Sequence, residues 1–392
     1  MDLPLLLLAL LGHAFLWIAL VNRLHATAMP YRVGSLVTLV CLAGMVLVPA
    51  LFWRWLVPAD FDISPSSHWH HVPPAGMLYV GVCWVSAALT VAWWLWRGVI
   101  RRPTNLLRSD RTRSVELSGD DTAVTSRQDA HHFLVHLPGN EILQLDVTER
   151  AIDVPRLPAA LDGLSIVHLS DLHFTGRVGK AYFREVVRLS NQAEPDLVAI
   201  TGDLVDHSDY IDWVPETLGK MTARCGVYFV LGNHDIRVDT DRLRRVLGEA
   251  GLVDLGGRWV RAEIRGEPVI LAGNELPWIA PAADMSGCPR RAAGGGPLRI
   301  VLSHSPDQID WAQAQDADLL LAGHTHGGQI RFPLVGAILT PSRTGVRYAS
   351  GVFYAPPTIM HVTRGVSGEF PVRLNCPPEI AHLVLRSLAK PG

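Results

Sequence analysis

The sequence lacks three things that would each have pointed to a different class of protein. It has no basic excess, with 35 Lys and Arg against 37 Asp and Glu and a formal charge of −2. Nucleic-acid binders ordinarily carry a basic patch or tail, so that class is set aside. It has no cysteine framework either. Cys41, Cys83, Cys225, Cys288 and Cys376 are scattered, and none stands in a CxxC pair. That spacing fits free thiols in a reducing compartment rather than a set of disulfides. Finally, the first hundred residues contain no lysine and no glutamate, and their only aspartates are Asp2, Asp60 and Asp62.

What fills that uncharged region is apolar. Residues 3–21, 34–53 and 75–96 are free of Asp, Glu, Lys and Arg. Each run has about the twenty residues a helix needs to cross a bilayer core. Pro49 falls in the second run, where a membrane helix tolerates it. Trp53 and Trp55 close the second run, and Trp93, Trp94 and Trp96 close the third, as an interfacial aromatic belt would. Three such runs in succession argue for about three transmembrane helices rather than buried helices of a soluble protein. For the first run a signal peptide is the competing reading, because Ala26-Thr27-Ala28 resembles a cleavage site. The missing basic n-region and the length of the apolar stretch favour a retained helix.

Arginine placement sets the expected orientation. Arg23 and Arg32 lie in the first loop, and Arg97, Arg101, Arg102, Arg108, Arg111 and Arg113 follow the third run. The second loop carries Asp60 and Asp62. The first loop and the C-terminal part are therefore expected in the cytoplasm of a multi-pass inner-membrane protein. The second loop also holds His68, His70 and His71, read as a polar loop near headgroups or, alternatively, as a metal- or pH-sensing tract.

Residues 1–102 thus form an expected membrane domain. Residues 103–160 read as a polar linker in which 133–137 and 142–147 form two short strands around Pro138-Gly139-Asn140. From 161 to 392 a catalytic domain is expected. There the pattern repeats: a short apolar run stops abruptly in a polar cluster, and a helical stretch such as 182–191 or 242–250 often follows. The clusters are Ser170-Asp171-Leu172-His173, then Thr201-Gly202-Asp203-Leu204-Val205-Asp206, then Gly232-Asn233-His234-Asp235. Ser303-His304-Ser305-Pro306 and Gly323-His324-Thr325-His326-Gly327-Gly328-Gln329 complete the set. Ligands of α/β folds bind beyond the carboxyl ends of strands, so five clusters at such ends can converge. Strand alternation is expected to point Asp171 and His173 to one face, and likewise His324 and His326. The glycines permit sharp turns and close backbone approach. Carboxylate, amide oxygen and imidazole without thiolate suit manganese, iron or zinc in a reactive site better than a structural zinc. His168, His131 and His132 are not counted among the candidates.

In this order the clusters resemble the calcineurin-like metallophosphoesterase superfamily, over residues 163 to about 378. The resemblance implies a four-layer α/β/β/α sandwich with two mixed sheets face to face. It implies two divalent metal ions, manganese first, with iron, zinc or magnesium as alternatives. Asp171, His173 and His326 would hold one metal, Asn233, His304 and His324 the other, and Asp203 would bridge them. His234 would contact the phosphoryl group, oriented by Asp206. Phosphoryl displacement needs positioning and charge neutralisation more than covalent catalysis. His207 follows Asp206 where the protein-phosphatase branch has an arginine, which makes phosphoproteins a poorer substrate expectation. The Gly-His-Thr-His-Gly-Gly-Gln form, with N-terminal membrane helices, resembles the bacterial membrane-attached branch, some of whose members hydrolyse UDP-2,3-diacylglucosamine. The expected partners are a phosphorylated small molecule or lipid and the membrane, with no nucleic acid. Soluble phosphodiesters with an incidental tether are the alternative, and a metal-binding scaffold without catalysis is a third reading.

The orientation is directly testable. A reporter fused after Gly392 should register the cytoplasm, and one inserted near Ser66 should register the outside; the reverse pattern overturns the assignment.

Overall fold

The computed structural model describes residues 3–56, 72–100, 105–117, 132–289 and 296–388. His68, His70 and His71 lie outside the described residues. The chain divides into two compact units, Met1–Arg102 and Pro103–Gly392.

The first unit consists of α1 (Leu3–His25), α2 (Tyr31–Leu56) and α3 (Pro74–Ile100). All three are long and apolar enough to cross a membrane. A helix satisfies its own backbone hydrogen bonds, which is the condition for spanning hydrocarbon. Small residues let the helices approach: a Cβ on Gly12 would fall 1.8 Å from the Cys83 carbonyl oxygen. His13 on α1 ties the three together, with Nδ1 2.7 Å from the Tyr79 hydroxyl and Nε2 3.0 Å from the Met45 carbonyl oxygen.

The second unit is a sandwich of two mixed sheets. The first sheet contains β1 (Leu107–Glu116), β2 (Gln144–Val154), β3 (Leu164–Leu169), β4 (Leu197–Thr201), β5 (Val227–Val230), β6 (Val253–Asp254) and β15 (Glu379–Ser387), in the order β1-β2-β15-β3-β4-β5-β6. The second contains β7 (Trp259–Ile264), β8 (Glu267–Asn274), β9 (Leu298–Ser303), β10 (Leu319–Ala322), β13 (Gly351–Ala355) and β14 (Thr358–Val362), in the order β13-β14-β10-β9-β8-β7. A two-stranded hairpin, β11 (Arg331–Phe332) with β12 (Gly336–Ala337), stands apart. The helices are α4 (His132–Val135), α5 (Lys180–Gln192), α6 (Thr240–Glu249) and α7 (Ile309–Ala314).

Strand periodicity builds the four layers. Leu164, Ile166, Leu197 and Ala199 face the second sheet and pack with Leu271, Ile300 and Leu319. Their neighbours Val167, Leu169, Val198 and Ile200 face outward and are covered by Phe183, Val186 and Val187 of α5 and Leu243 and Leu247 of α6. On the far side, Ile309 and Ala312 of α7 cover Val301, Leu320 and Met360. Asp239 caps α6 by accepting the Arg242 N–H at 2.9 Å, a contact worth about 1 kcal/mol.

Two segments differ from expectation. Residues 133–137, expected as a strand, overlap the short helix α4 (His132–Val135). The polar stretch expected as a linker supplies β1, paired antiparallel with β2, which covers most of the strand expected at 142–147 and runs on to Val154. β1 reads as linker because it is an edge strand exposed along most of its length, so Leu107–Glu116 carries no alternation of apolar residues.

A buried polar chain crosses between the sheets. Arg150 on β2 pairs with Glu379 on β15 at 2.8 Å and donates to His361 Nε2 on β14 at 3.0 Å. His361 meets His168 of β3, Nδ1 to Nδ1, at 2.8 Å. Burial opposes charge on Glu379, yet Arg150 and Arg364 hold it well below the usual range. Breaking a buried pair costs about 3–5 kcal/mol, here moderated because Arg150 keeps Asp110 at 3.2 Å and Arg364 keeps Asp146 at 3.0 Å. Glu379→Ala should therefore lower the unfolding midpoint of the second unit markedly, followed by near-UV circular dichroism of the full chain in detergent. An unchanged midpoint would show that the pair contributes nothing.

Candidate metal centre

β3, β4, β5, β9 and β10 all end at the same edge of the sandwich, and each hands over to one of the five polar clusters. β3 stops at Leu169, so Asp171 and His173 lie beyond it. Strand alternation, the expected reason for their common direction, does not operate there. A tight turn does the work instead. Asp171, His173, Asp203, His324 and His326 all adopt left-handed backbone, with φ of 55°, 49°, 53°, 69° and 50°. Side-chain-bearing residues avoid this region, at roughly 1–3 kcal/mol each, though Asp and His tolerate it better than most.

The loops hold one another in these conformations. Asp171 N–H donates to the Gly202 carbonyl at 3.0 Å, and His173 N–H to that of Asp203 at 2.9 Å. His324 N–H donates to the Asp171 carboxylate at 3.0 Å, and His234 N–H to Asp203 Oδ1 at 2.8 Å. Close approach explains two glycines: a Cβ on Gly232 would lie 2.3 Å from Asp203 Oδ1, and one on Gly323 would lie 1.8 Å from Ser170 Oγ.

All nine sequence candidates come together. His304 Nε2 lies 3.2 Å from Asp203 Oδ2, 3.1 Å from Asn233 Oδ1 and 3.1 Å from His324 Nδ1. The other ring nitrogen, Nδ1, is 2.7 Å from the Thr201 carbonyl, to which it must donate. In the neutral ring Nε2 is then a lone pair facing an amide oxygen, a carboxylate and a further imidazole. Beside this group, His173 Nε2 lies 3.3 Å from His326 Nε2 and 3.7 Å from Asp203 Oδ2, and His326 Nε2 lies 3.4 Å from Asp171 Oδ1. Asp203 Oδ2 is common to both groups. Lone pairs packed this way require protons or cations between them, so the donor set fits divalent metals. The electrostatics agree. Burial works against charge on His173 and His304, but the facing carboxylates prevail and hold both at about 9. Burial pushes His326 down to about 3 and His324 well below its usual range.

Asp206 does more than orient His234. Its Oδ1 is 2.5 Å from His234 Nδ1 and its Oδ2 is 2.9 Å from His173 Nδ1. One carboxylate thus fixes the tautomer of both rings.

Several roles here were not read from sequence. Asp235 accepts N–H bonds from Leu204 and Val205 at 2.9 Å and from Gly232 at 2.8 Å. Burial, with Asp203 nearby, raises its carboxyl to about 7. The loop after β14 forms a sixth wall: Val366 N–H donates to the Ser170 carbonyl and Ser367 N–H to that of Asp171, each at 2.9 Å. The signal for it was present, since β14 also ends abruptly, in Thr363-Arg364-Gly365. Arg373, fully buried, donates to the carbonyls of His326 and Arg364 at 2.9 and 2.8 Å. Trp278 packs edge-on against His304 and His324, with centroids 5.5 and 4.7 Å away. Arg237 Nη2 lies 3.2 Å from His234 Nε2, and its Nη1 lies 3.3 Å from Glu369.

Residues 164–328 match the family model for the calcineurin-like phosphoesterase. The chain is 30% identical over 225 residues to the phosphodiesterase YaeI of Escherichia coli, covering 56% of this chain and 81% of that one. The chain belongs to the calcineurin-like metallophosphoesterase family. It carries that family's metal-dependent phosphoester hydrolase domain, and members of the family typically bind two divalent metals. The metallophosphoesterase is also 32% identical over 257 residues to a Danio rerio transmembrane protein with metallophosphoesterase domain, covering 61% of this chain and 57% of the relative's length. It is 25% identical over 299 residues to the UDP-2,3-diacylglucosamine pyrophosphatase LpxG of Chlamydia trachomatis, covering 63% of this chain and 90% of that one. With its three apolar helices, this metallophosphoesterase is a membrane protein.

The shared oxygen sets a test by elemental analysis of protein from manganese-supplemented cells. Unaltered protein should hold close to two metals per chain. Asp203→Ala should lose both, and His326→Ala mainly one. Asp206→Asn should weaken the metal beside His173 as well as lowering turnover. A full complement in Asp203→Ala would sink the arrangement.

Proposed function

We propose that the chain is a membrane-tethered phosphohydrolase that cleaves a phosphodiester or pyrophosphate in a lipid-linked substrate. The catalytic unit faces the cytoplasm from the inner membrane. Asp171, His173, His326 and Asp203 hold one divalent cation, and Asp203, Asn233, His304 and His324 hold the second. Manganese is the first candidate. The observation that carries the reading is the juxtaposition of these two donor groups with His234, whose Nε2 points away from its Asp206 partner toward the rim.

The bound cations supply activation of water and neutralisation of phosphoryl charge. The protein's own residues do the rest. Arg237 offers a guanidinium to the non-bridging oxygens beside His234, a match of planar donor to phosphate. His234 passes a proton between Nε2 and the leaving oxygen, and Asp206 keeps the ring's other proton on Nδ1. Trp278 covers the imidazoles of the second group and limits water access on that side. The tether and the names of two relatives, one transmembrane and one acting on a diacylglucosamine nucleotide, support a lipid-linked substrate over a soluble one.

A hydrolysis screen of purified protein with Mn²⁺ tests this reading, comparing UDP-diacylglucosamine, phospholipids, cyclic nucleotides and bis-p-nitrophenyl phosphate. Preference for a lipid-linked ester is expected, and preference for cyclic nucleotides would overturn it. His234→Asn should lose about 10²–10⁴-fold in kcat with both metals retained, and less on p-nitrophenyl esters, whose leaving group needs little protonation. Arg237→Gln should lose about 10–100-fold in kcat/KM, the worth of a charge-assisted hydrogen bond, again with metals retained. Metal loss in either variant would show that the residue supports the donor set instead.

A further inference from the structure

The stretch following β10 has an unusual composition. Residues 319–368 contain four arginines, Arg331, Arg343, Arg347 and Arg364, and no Asp or Glu. Inside it lies the β11–β12 hairpin. Among the described residues, the second unit has eleven exposed large hydrophobics, and five of them fall between 330 and 339: Ile330, Phe332, Leu334, Val335 and Leu339. Apolar side chains gathered this way on a surface mark a contact site. The tip is the clearest case. Leu334 is 94% exposed and has φ of 66°, where glycine or asparagine would be at ease. A leucine here is unfavourable both to solvate and to bend, so its side chain has a use outside the folded unit.

The base of the hairpin is fixed to the metal centre. A Cβ on Gly328 would fall 2.4 Å from Ala337 Cβ, so β12 lies directly on the turn that carries His326. Arg331 Nε donates to the Gly327 carbonyl at 2.7 Å, and its Nη2 to Ser350 Oγ at 2.5 Å. Phe370 adds a sixth exposed apolar residue, held at the same edge because Gln329 donates to its carbonyl at 2.8 Å.

We infer that this hairpin inserts into the surface of an anionic bilayer and presents lipid-borne phosphoesters to the metal centre. The proposal rests on the reading of the chain as a membrane-tethered phosphohydrolase. Leucine and phenylalanine, with Arg343 and Arg347 exposed in the segment that follows, are complementary to acyl chains beneath anionic headgroups; Arg331 and Arg364 are turned inward. β1 begins seven residues after the last residue of α3, so the tether keeps a bilayer within this unit's reach. A second copy of the chain would also cover apolar residues, but the two exposed arginines and the absence of acids from residues 319–368 favour lipid over another face of the same composition.

The test uses the full chain in nanodiscs of phosphatidylethanolamine and phosphatidylglycerol. Cys41, Cys83, Cys288 and Cys376 are buried and Cys225 is partly exposed, so a Cys225→Ser background leaves one reactive thiol in Leu334→Cys. An environment-sensitive dye there should emit further to the blue than the same dye on Val253→Cys, an exposed position on β6, and should be quenched by spin-labelled lipid. Val335→Cys provides a second reporter, and phosphatidylcholine discs should weaken the effect. Equal emission at 334, 335 and 253 overturns the proposal. A shift that follows protein concentration and not lipid composition also overturns it, in favour of self-association. In turnover, Leu334→Asp should lose about tenfold more activity on a phosphodiester embedded in the disc than on bis-p-nitrophenyl phosphate. Equal loss on both would make the hairpin a support for the centre rather than a lipid contact. Dye insertion with no hydrolysis of either ester would leave the lipid contact standing and remove the phosphohydrolase reading beneath it.

Discussion

The Asp203 carboxylate is the point on which the site closes. Its Oδ1 is claimed by the His234 N–H and its Oδ2 faces ring nitrogens of His173 and His304. To stand there it takes a left-handed backbone and requires glycine at 232. The remaining loops are arranged so that this unfavourable geometry is held by their neighbours. The turn of each cluster is hydrogen-bonded to the turn of another: 171 to 202, 173 to 203, 324 to 171, 234 to 203. Removing one loop would free several residues to relax into ordinary backbone, and the donors would part.

Such cooperation between loops explains why the sheets are as they are. Parallel neighbours β3, β4 and β5 in one sheet and β9 and β10 in the other bring five carboxyl ends to one edge. The inter-sheet core around Ile166, Leu271, Ile300 and Leu319 sets their separation. Burial then decides the chemistry of the donors. With water excluded, carboxylates and imidazoles must balance charge among themselves, which keeps His173 and His304 receptive to positive charge and leaves His324 and His326 neutral.

Much of this was legible in the sequence because it is written in local patterns. Apolar runs of about twenty residues announce α1 to α3, and short apolar runs ending in Asp-x-His or Gly-Asn-His-Asp announce strands with a reactive edge. What stayed hidden depends on contacts distant in the chain. The left-handed turns at Asp171 and His324 exist only because another loop accepts or donates there. Asp206 serves two histidines because the loop after β4 lies between those after β3 and β5. Arg237 and Glu369 meet across the rim from segments more than a hundred residues apart. β1 was invisible for the opposite reason: an edge strand exposed on both faces has no apolar period to read.

The position of β15 has a consequence for assembly. It lies between β2 and β3, parallel to the first and antiparallel to the second, yet it is made after every other described strand of the unit. Until it arrives, the β1–β2 ribbon has no partner on one side, and β3 exposes an unpaired edge next to loops that are not yet held. The membrane helices, made first, can leave the ribosome and settle long before the sheet can be completed. A nascent catalytic unit therefore spends its synthesis as two separate pieces of sheet beside a bilayer. The last strand to emerge, carrying Glu379 into place against Arg150, turns them into one.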